Sequence, residues 1–232
     1  MTPLAASIIL LGPGVILELK AKVTNGNQSI SISFIFFPVY FKHTLTHPSL
    51  AGFLVMMTTD NIKLVTNYLL FQIGWFACVL GGNQIALAAT VTVLLIHLLW
   101  IGSWHREKQL LAITFLLGCA IDSFLGNLEI LRFHSQPDDG GRILPLWLAC
   151  LWLIFATTLQ HSLDWSRTHK LYGALLGFFG GPLSYLAGAK MSDVTLAQPL
   201  WQTMLILAII WAIVIPMLQS FSQAWLNKTK SL

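Results

Sequence analysis

The sequence predicts an all-α protein: a polytopic membrane bundle of six transmembrane helices with both termini facing the cytoplasm. Hydrophobic residues make up 56% of the 232-residue chain and charged residues only 9%, against about 25% charged in an ordinary soluble domain. A soluble protein of this length needs more polar surface than that. The basic residues are dispersed between apolar runs, so the formal net charge of +4 is typical of a membrane protein and does not predict a nucleic-acid partner.

Six apolar runs meet or approach the roughly 20 residues needed to cross a bilayer core of about 30 Å. These runs cover residues 64–80, 84–104, 109–130, 143–163, 171–188 and 200–220. Within them, full charges occur at Asp122 and Glu129, both in the third run. Short connectors such as Gly81-Gly82-Asn83 join the runs, which is typical of antiparallel helical hairpins.

The Lys and Arg residues beside the spans predict the orientation of the bundle. The side that carries the N-terminus has the larger group, namely Lys63, Arg106, Lys108, Arg167, Lys170, Lys228 and Lys230. The opposite side has the smaller group, Arg132, Arg142 and Lys190, together with Asp138, Asp139 and Asp193. We therefore expect a multi-pass protein of a bacterial inner membrane with both termini in the cytoplasm.

Residues 1–56 do not follow the transmembrane pattern. The apolar stretch from Leu4 to Leu17 is short and interrupted, and no basic residue precedes it, so it makes a poor signal peptide. Residues 29–41 alternate between polar and apolar side chains, as a strand does. We expect residues 57–232 to form the transmembrane domain and residues 1–56 to be an extension that is disordered, loosely associated or an artefact of the gene start. An interfacial segment is the alternative.

Several phrases of the chain, taken in order, resemble a family of uncharacterised bacterial membrane proteins catalogued as domain of unknown function 2878. The phrases are 67–75 (NYLLFQIGW), 81–83 (GGN), 118–122 (GCAID), 146–148 (LWL), 152–161 (WLIFATTLQH) and 180–185 (GGPLSY). The resemblance covers roughly residues 60–225. It implies a membrane bundle that begins after Met57, and it implies no activity.

Asp122 is the residue with the strongest sequence signal for a site. A carboxylate near the middle of a span costs about 2.5–3.5 kcal/mol to insert, so we expect it to face the bundle interior and to have a partner. At about 1.5 Å per residue, Ser184 and Tyr185 of the fifth span lie at the same depth. We therefore predict an outer polar layer in which the fifth span donates a hydrogen bond to Asp122. This layer is either a proton-linked or ligand-binding site, or a purely structural contact.

A second set of polar side chains lies closer to the cytoplasmic boundary. It comprises His97, Asn67, Gln72 and His161. Histidines at such positions can carry protons or bind metal. Asp122 lies about 10 Å above His97, too far for the two side chains to share one metal ion with ligands about 2 Å away. We therefore predict no metal site and no cofactor, and we expect His161 to be an interfacial residue.

Three functions remain open from the sequence. The first is a small transporter or ligand-binding bundle that uses the Asp122 layer, with a small molecule or a lipid as its ligand. The second is a membrane-embedded enzyme that acts on a lipid or isoprenoid and uses His97 or His161 with Asp122 as acid and base, against which stands the difference in depth between Asp122 and the histidines. The third is a non-catalytic membrane subunit. Apart from the lipid bilayer, the sequence predicts no defined partner or oligomeric state.

Overall fold

The computed structural model describes the backbone of residues 7–10, 15–24, 27–36 and 39–41, and residues 59–134 and 144–230, of which 168, 229 and 230 are described as backbone only. The N-terminal strands are β1 (Ser7–Leu10), β2 (Val15–Thr24), β3 (Asn27–Phe36) and β4 (Val39–Phe41). They pair antiparallel in the order β1-β2-β3-β4. The expectation that residues 1–56 are an extension or an artefact of the gene start stays a prediction.

From residue 59 the described chain is predominantly helical. The helices are α1 (Thr59–Ile96), followed by the π-helical turn His97–Ile101, then α2 (Trp104–Asn127), α3 (Leu146–Ala156), α4 (Trp165–Thr168), α5 (Lys170–Met191) and α6 (Leu200–Lys230). Two short strands, β5 (Leu131–Phe133) and β6 (Val194–Leu196), pair antiparallel beyond the ends of α2 and α5. Helix α2 ends before Glu129, which lies outside it with a φ of 58°.

Three described helical stretches are long and apolar enough to cross a membrane: Thr59–Ile101, Trp104–Asn127 and Leu200–Lys228. Helix α3 is apolar but shorter. Helix α5 has 22 residues and is not among these three stretches. The chain is therefore mostly helical and carries the apolar helices of a membrane protein.

Helix α1 folds back on itself at Gly82. This residue has a φ of 66°, a left-handed conformation that glycine adopts at little cost. Side chains on either side of it meet: the Cys78 sulfur lies 4.0 Å from the Thr90 hydroxyl oxygen, and the Asn67 amide nitrogen lies 3.3 Å from His97 Nδ1. Helix α1 is therefore a hairpin of two antiparallel halves, and its turn lies within the Gly81-Gly82-Asn83 connector.

Helix α3 ends earlier than the sequence pattern predicts. We expected a span over 143–163, but the α-helix stops at Ala156 and the chain continues in turns. The hydroxyls of Thr157 and Thr158 donate to carbonyls three residues back, at 2.7 and 2.6 Å. Such local bonds compete with the helical ladder. As a result, the Thr157 carbonyl accepts a hydrogen bond from a different helix, as described below.

Glycines allow the closest helix contacts. A Cβ atom on Gly177 of α5 would lie 2.1 Å from the Trp211 carbonyl oxygen of α6, and one on Gly181 would lie 2.3 Å from Trp211 Cγ. A Cβ atom on Gly118 of α2 would lie 1.8 Å from the indole of Trp152 in α3. Glycine at these positions therefore lets α5 pack closely on α6 and α2 pack closely on α3.

We predict that Gly177→Ala destabilises the bundle by about 1–3 kcal/mol, because the added methyl group meets backbone atoms that cannot move aside cheaply. Unfolding of the purified protein in mixed micelles of increasing SDS content measures the effect. Gly188→Ala is the matched control, since no atom lies within 4 Å of the added Cβ on the same helix. Equal loss of stability in the two variants would contradict this packing.

Candidate functional site

The outer polar layer is centred on Asp122 of α2, whose side chain is completely buried. Its Oδ2 accepts a hydrogen bond from the Trp152 indole N–H of α3 at 2.7 Å. Its Oδ1 accepts one from the Tyr185 hydroxyl of α5 at 2.5 Å. The predicted hydrogen bond from the fifth span is thus present, and Tyr185 is its donor. Each carboxylate oxygen has a donor from a different helix, which offsets the loss of hydration.

The other members of this layer contact one another and not the carboxylate. The Ser184 hydroxyl accepts a hydrogen bond from the Trp75 indole N–H of α1 at 3.2 Å. The Trp152 ring stacks on Trp211 of α6 with centroids 5.0 Å apart and an interplanar angle of 6°. The outer layer therefore joins α1, α2, α3, α5 and α6 through side chains that fix one another's positions.

The inner polar layer is centred on a residue that the sequence did not single out, Glu107. It falls between the predicted spans 84–104 and 109–130, whereas the structure places it in the first turn of α2 with only 4% of its surface exposed. Its Oε2 lies 2.6 Å from His97 Nε2, and its Oε1 lies 3.2 Å from His161 Nε2. Oε1 also accepts the backbone N–H of Ser103 at 3.0 Å. An ionised carboxylate can only accept, so both histidine Nε2 atoms donate to it.

The break between α1 and α2 brings these groups together. The π-helical turn His97–Ile101 ends at Gly102, and Ser103 begins α2. A Cβ atom on Gly102 would lie 2.3 Å from Glu107 Oε1 and 2.7 Å from His97 Nε2. Glycine at this position therefore leaves space that the carboxylate and the imidazole occupy. Single π-helical turns are frequent at functional sites.

Asn67 of α1 ties His97 to the irregular segment after α3. Its amide nitrogen lies 3.3 Å from His97 Nδ1 and donates to the Thr157 carbonyl at 3.1 Å. Its amide oxygen accepts the backbone N–H of Ser162 at 3.3 Å and the Ser162 hydroxyl at 2.8 Å. Asn67 is 1% exposed, and all of its hydrogen-bonding groups are therefore engaged.

The two histidines differ in access. His97 is completely buried, whereas the side chain of His161 is 20% exposed. Both ring nitrogens of His97 face partners, but the described part of the chain offers no hydrogen-bond partner to His161 Nδ1. The rings are edge to face, with centroids 4.9 Å apart. The cluster therefore has one open ring nitrogen, and it lies on the more accessible histidine.

The predicted residues thus divide between two layers, with one exception. Gln72 donates to the Tyr68 hydroxyl, one turn earlier on α1, at 2.7 Å. His161, expected to be interfacial, belongs to that cluster. Glu107 carried no clear sequence signal, because it follows the N-cap residue Ser103 by four residues and not by the three of a capping box. Asp122 follows Glu107 by 15 residues, or about 22 Å along α2, so the two layers are separate sites.

Two chemistries fit these layers. The outer layer can hold or release one proton at Asp122, since Tyr185 can either donate to a carboxylate or accept from a carboxylic acid. The inner layer pairs a carboxylate with two imidazoles, the groups used for general acid–base catalysis. Its ligand-type atoms lie within 4.8 Å of one another, which also raises the question of a metal ion at His97, Glu107 and His161.

We predict that Tyr185→Phe lowers the free energy of unfolding by about 1–3 kcal/mol, because one oxygen of the buried Asp122 carboxylate loses its donor. The same SDS titration measures the change. Tyr172→Phe, on the exposed side of α5, is the control and should unfold like the wild type. A wild-type midpoint for Tyr185→Phe would show that the hydroxyl contributes nothing to the outer layer.

Comparison with known proteins identifies a family and no function. No curated protein and no solved structure matches the chain. The model of a family described as a protein of unknown function, DUF2878, matches residues 64–217. That range begins within α1, ends within α6 and contains both polar layers. The chain therefore belongs to the DUF2878 family of proteins of unknown function.

Proposed function

We propose that this protein is a membrane-embedded enzyme that acts on the polar end of a lipid or isoprenoid, with His161 as its general base. The observation that carries the proposal is the contact between His161 Nε2 and the buried Glu107 carboxylate at 3.2 Å, while Nδ1 of the same ring has no hydrogen-bond partner among the described residues. A carboxylate on one ring nitrogen orients an imidazole and stabilises its cationic form, so the other nitrogen becomes a better base. The open Nδ1 would take a proton from water or from a substrate hydroxyl.

The depth of the inner cluster supports a lipid substrate. Glu107 lies in the first turn of α2, at the end of an apolar helix, where lipid headgroups meet the hydrocarbon core. Its exposed neighbours Arg106 and Lys108 would attract anionic headgroups to this boundary. The objection raised by the sequence was that Asp122 lies too far from the histidines to serve with them. Glu107 removes this objection, because its carboxylate is in direct contact with the His97 and His161 rings.

The proposal includes the membrane topology. We infer six spans in a bacterial inner membrane, with the α1 hairpin supplying the first two and α2, α3 with its following turns, α5 and α6 supplying the others. The charge distribution beside the spans then puts both termini and the inner cluster on the cytoplasmic side. Helix α3, which is short, and helix α5, which is not among the three long apolar stretches, are compatible with spans that pack mainly against other helices.

Reporter fusions test this topology. Alkaline phosphatase, which is active only outside the cytoplasm, should be active when fused after Asp139 and inactive when fused after Arg167 or Leu232. Green fluorescent protein, which fluoresces when it folds in the cytoplasm, should report the opposite pattern. An active phosphatase at Leu232 would exclude a cytoplasmic C-terminus and with it the cytoplasmic location of the inner cluster.

A second candidate function has its own observation. Asp122 is a fully buried carboxylate held by two neutral donors, and within the described chain no cation pairs with it. Intramembrane carboxylates of this kind are functional by default, so a small transporter or ligand-binding bundle centred on Asp122 is the alternative. A non-catalytic subunit is the third possibility, in which both layers serve only to position helices.

Lipid profiling of a deletion strain separates these functions. If the protein is an enzyme using the inner cluster, wild type restores the lipid profile whereas His161→Ala and Glu107→Gln leave the substrate accumulated, because the base or its orienting carboxylate is lost. A loss of about 10²–10⁴-fold in turnover is expected for a general base. Asp122→Asn should restore the profile under this proposal.

The controls use neighbouring residues of the same type. His105→Ala and Glu129→Gln change exposed side chains and should complement fully, and the membrane level of each variant is measured by immunoblot. Failure of Asp122→Asn with full rescue by His161→Ala would favour the ligand-binding bundle. Rescue by every variant would contradict both site-based functions and leave the subunit role.

A further inference from the structure

His97 is held from both sides of its ring by groups of opposite type. Nε2 faces the Glu107 carboxylate at 2.6 Å, and Nδ1 faces the Asn67 amide nitrogen at 3.3 Å. The carboxylate accepts hydrogen bonds, whereas the amide nitrogen only donates. These two contacts are satisfied together only if the proton of a neutral His97 resides on Nε2 and the lone pair on Nδ1.

The orientation of the Asn67 amide is itself determined by its other partners. The amide oxygen faces two donors of Ser162, and the amide nitrogen faces the carbonyl of Thr157. Exchanging the oxygen and nitrogen positions would set N–H groups against the Ser162 N–H and a lone pair against the Thr157 carbonyl. Hydrogen-bond partners of this kind are the proper basis for assigning an amide, so the donor that faces His97 is well defined.

We propose that Asn67 is a positioning residue that keeps His97 neutral and protonated on Nε2, so that the inner cluster is a hydrogen-bonded acid–base centre and not a metal centre. The inference deepens the proposed function, on which it rests for the purpose of the cluster. It is independent of that function in what it says about the proton on His97, because this proton can be observed without any substrate.

The argument against a metal ion comes from the nitrogen that a metal would need. The ligand-type atoms of His97, Glu107 and His161 are close enough to share an ion. A histidine that binds metal must offer a lone pair, and its other nitrogen normally donates its N–H to a carboxylate, carbonyl or water. On His97 the relation is reversed: the nitrogen that faces the cluster carries the proton, and the far nitrogen accepts from an amide.

The same arrangement directs proton exchange to His161. The titratable groups that face His97 are Glu107 on α2 and His161 in the segment after α3, while Asn67 on α1 carries no charge. A second proton on His97 would have to sit on Nδ1, where it would meet the Asn67 amide hydrogens. Protons therefore enter and leave the cluster through the partly exposed His161, the ring that we propose as the base.

Asn67→Asp tests the inference, because a carboxylate beside Nδ1 can accept a hydrogen bond from an Nδ1–H group, whereas the amide nitrogen of Asn67 can only donate one. His97 then carries its proton on Nδ1, which frees Nε2 to bind a metal ion. We expect zinc affinity of the full-length protein in detergent to rise by about 10- to 100-fold, the usual size of such an outer-shell effect. Equilibrium dialysis with zinc chloride measures it, and nitrogen-15 spectra of labelled histidines locate the proton on His97.

Asn127→Asp adds the same charge at an exposed site on α2 and should leave zinc affinity unchanged, while Asn67→Asp combined with His161→Ala should lose the gain. The wild-type spectrum is decisive even if Asn67→Asp fails to fold. A proton on Nδ1 of wild-type His97, or stoichiometric wild-type zinc binding that depends on both histidines, would overturn the inference. Failure of the complementation experiment alone would overturn the proposed enzyme and leave the role of Asn67 intact.

Discussion

The interior of a membrane bundle offers no water to polar groups, so each of them must find a hydrogen-bond partner within the protein. The buried side chains of Asn67, Glu107 and Asp122 find such partners in other parts of the bundle. The Glu107 carboxylate receives N–H groups from the end of α1, from the start of α2 and from the segment after α3. This single acceptor joins the break between α1 and α2 to His161, which lies 54 residues further along the chain, and the geometry of the inner cluster depends on it.

The same constraint produces two layers of different character. In the outer layer, Asp122 is completely buried and its donors, Trp152 and Tyr185, are locked in turn by the stacked Trp211. In the inner layer the network ends on His161, whose Nδ1 is unpaired within the described chain and whose side chain is partly exposed. A closed network favours stability, whereas a network with one open atom can exchange a proton with a ligand.

Irregular backbone supplies the positions that regular helices could not. The π-helical turn at His97 and the break at Gly102 turn the chain so that Glu107 points back toward the helix that precedes it. The turns after Ala156 present the Thr157 carbonyl and the Ser162 N–H to Asn67. Both irregular segments border the inner cluster, and their backbone groups are satisfied by side chains of that cluster, as is required at membrane depth.

Some site contacts were predictable because they depend on depth alone. Helical rise places Asp122 and the fifth span at one height, and Tyr185 indeed donates to Asp122. The separation of Asp122 from His97 follows from the same arithmetic. Glu107 was missed because a charged residue at the end of an apolar run is normally a boundary residue in water. Only its burial between two histidines distinguishes it, and burial depends on which helices pack against one another.

The sequence by itself determined that the chain from residue 59 onward is mostly helical, apolar and divided at Gly82, because hydropathy and glycine conformations are local properties. It also located the polar residues along each helix. The tertiary structure decided which of them meet: Trp152 with Asp122, Ser184 with Trp75, and Glu107 with both histidines. It also decided which way the Asn67 amide points. The physical reason is that hydrogen bonds between helices depend on how each helix is rotated about its axis and on which helices pack against it. The periodic pattern of one helix does not contain that information.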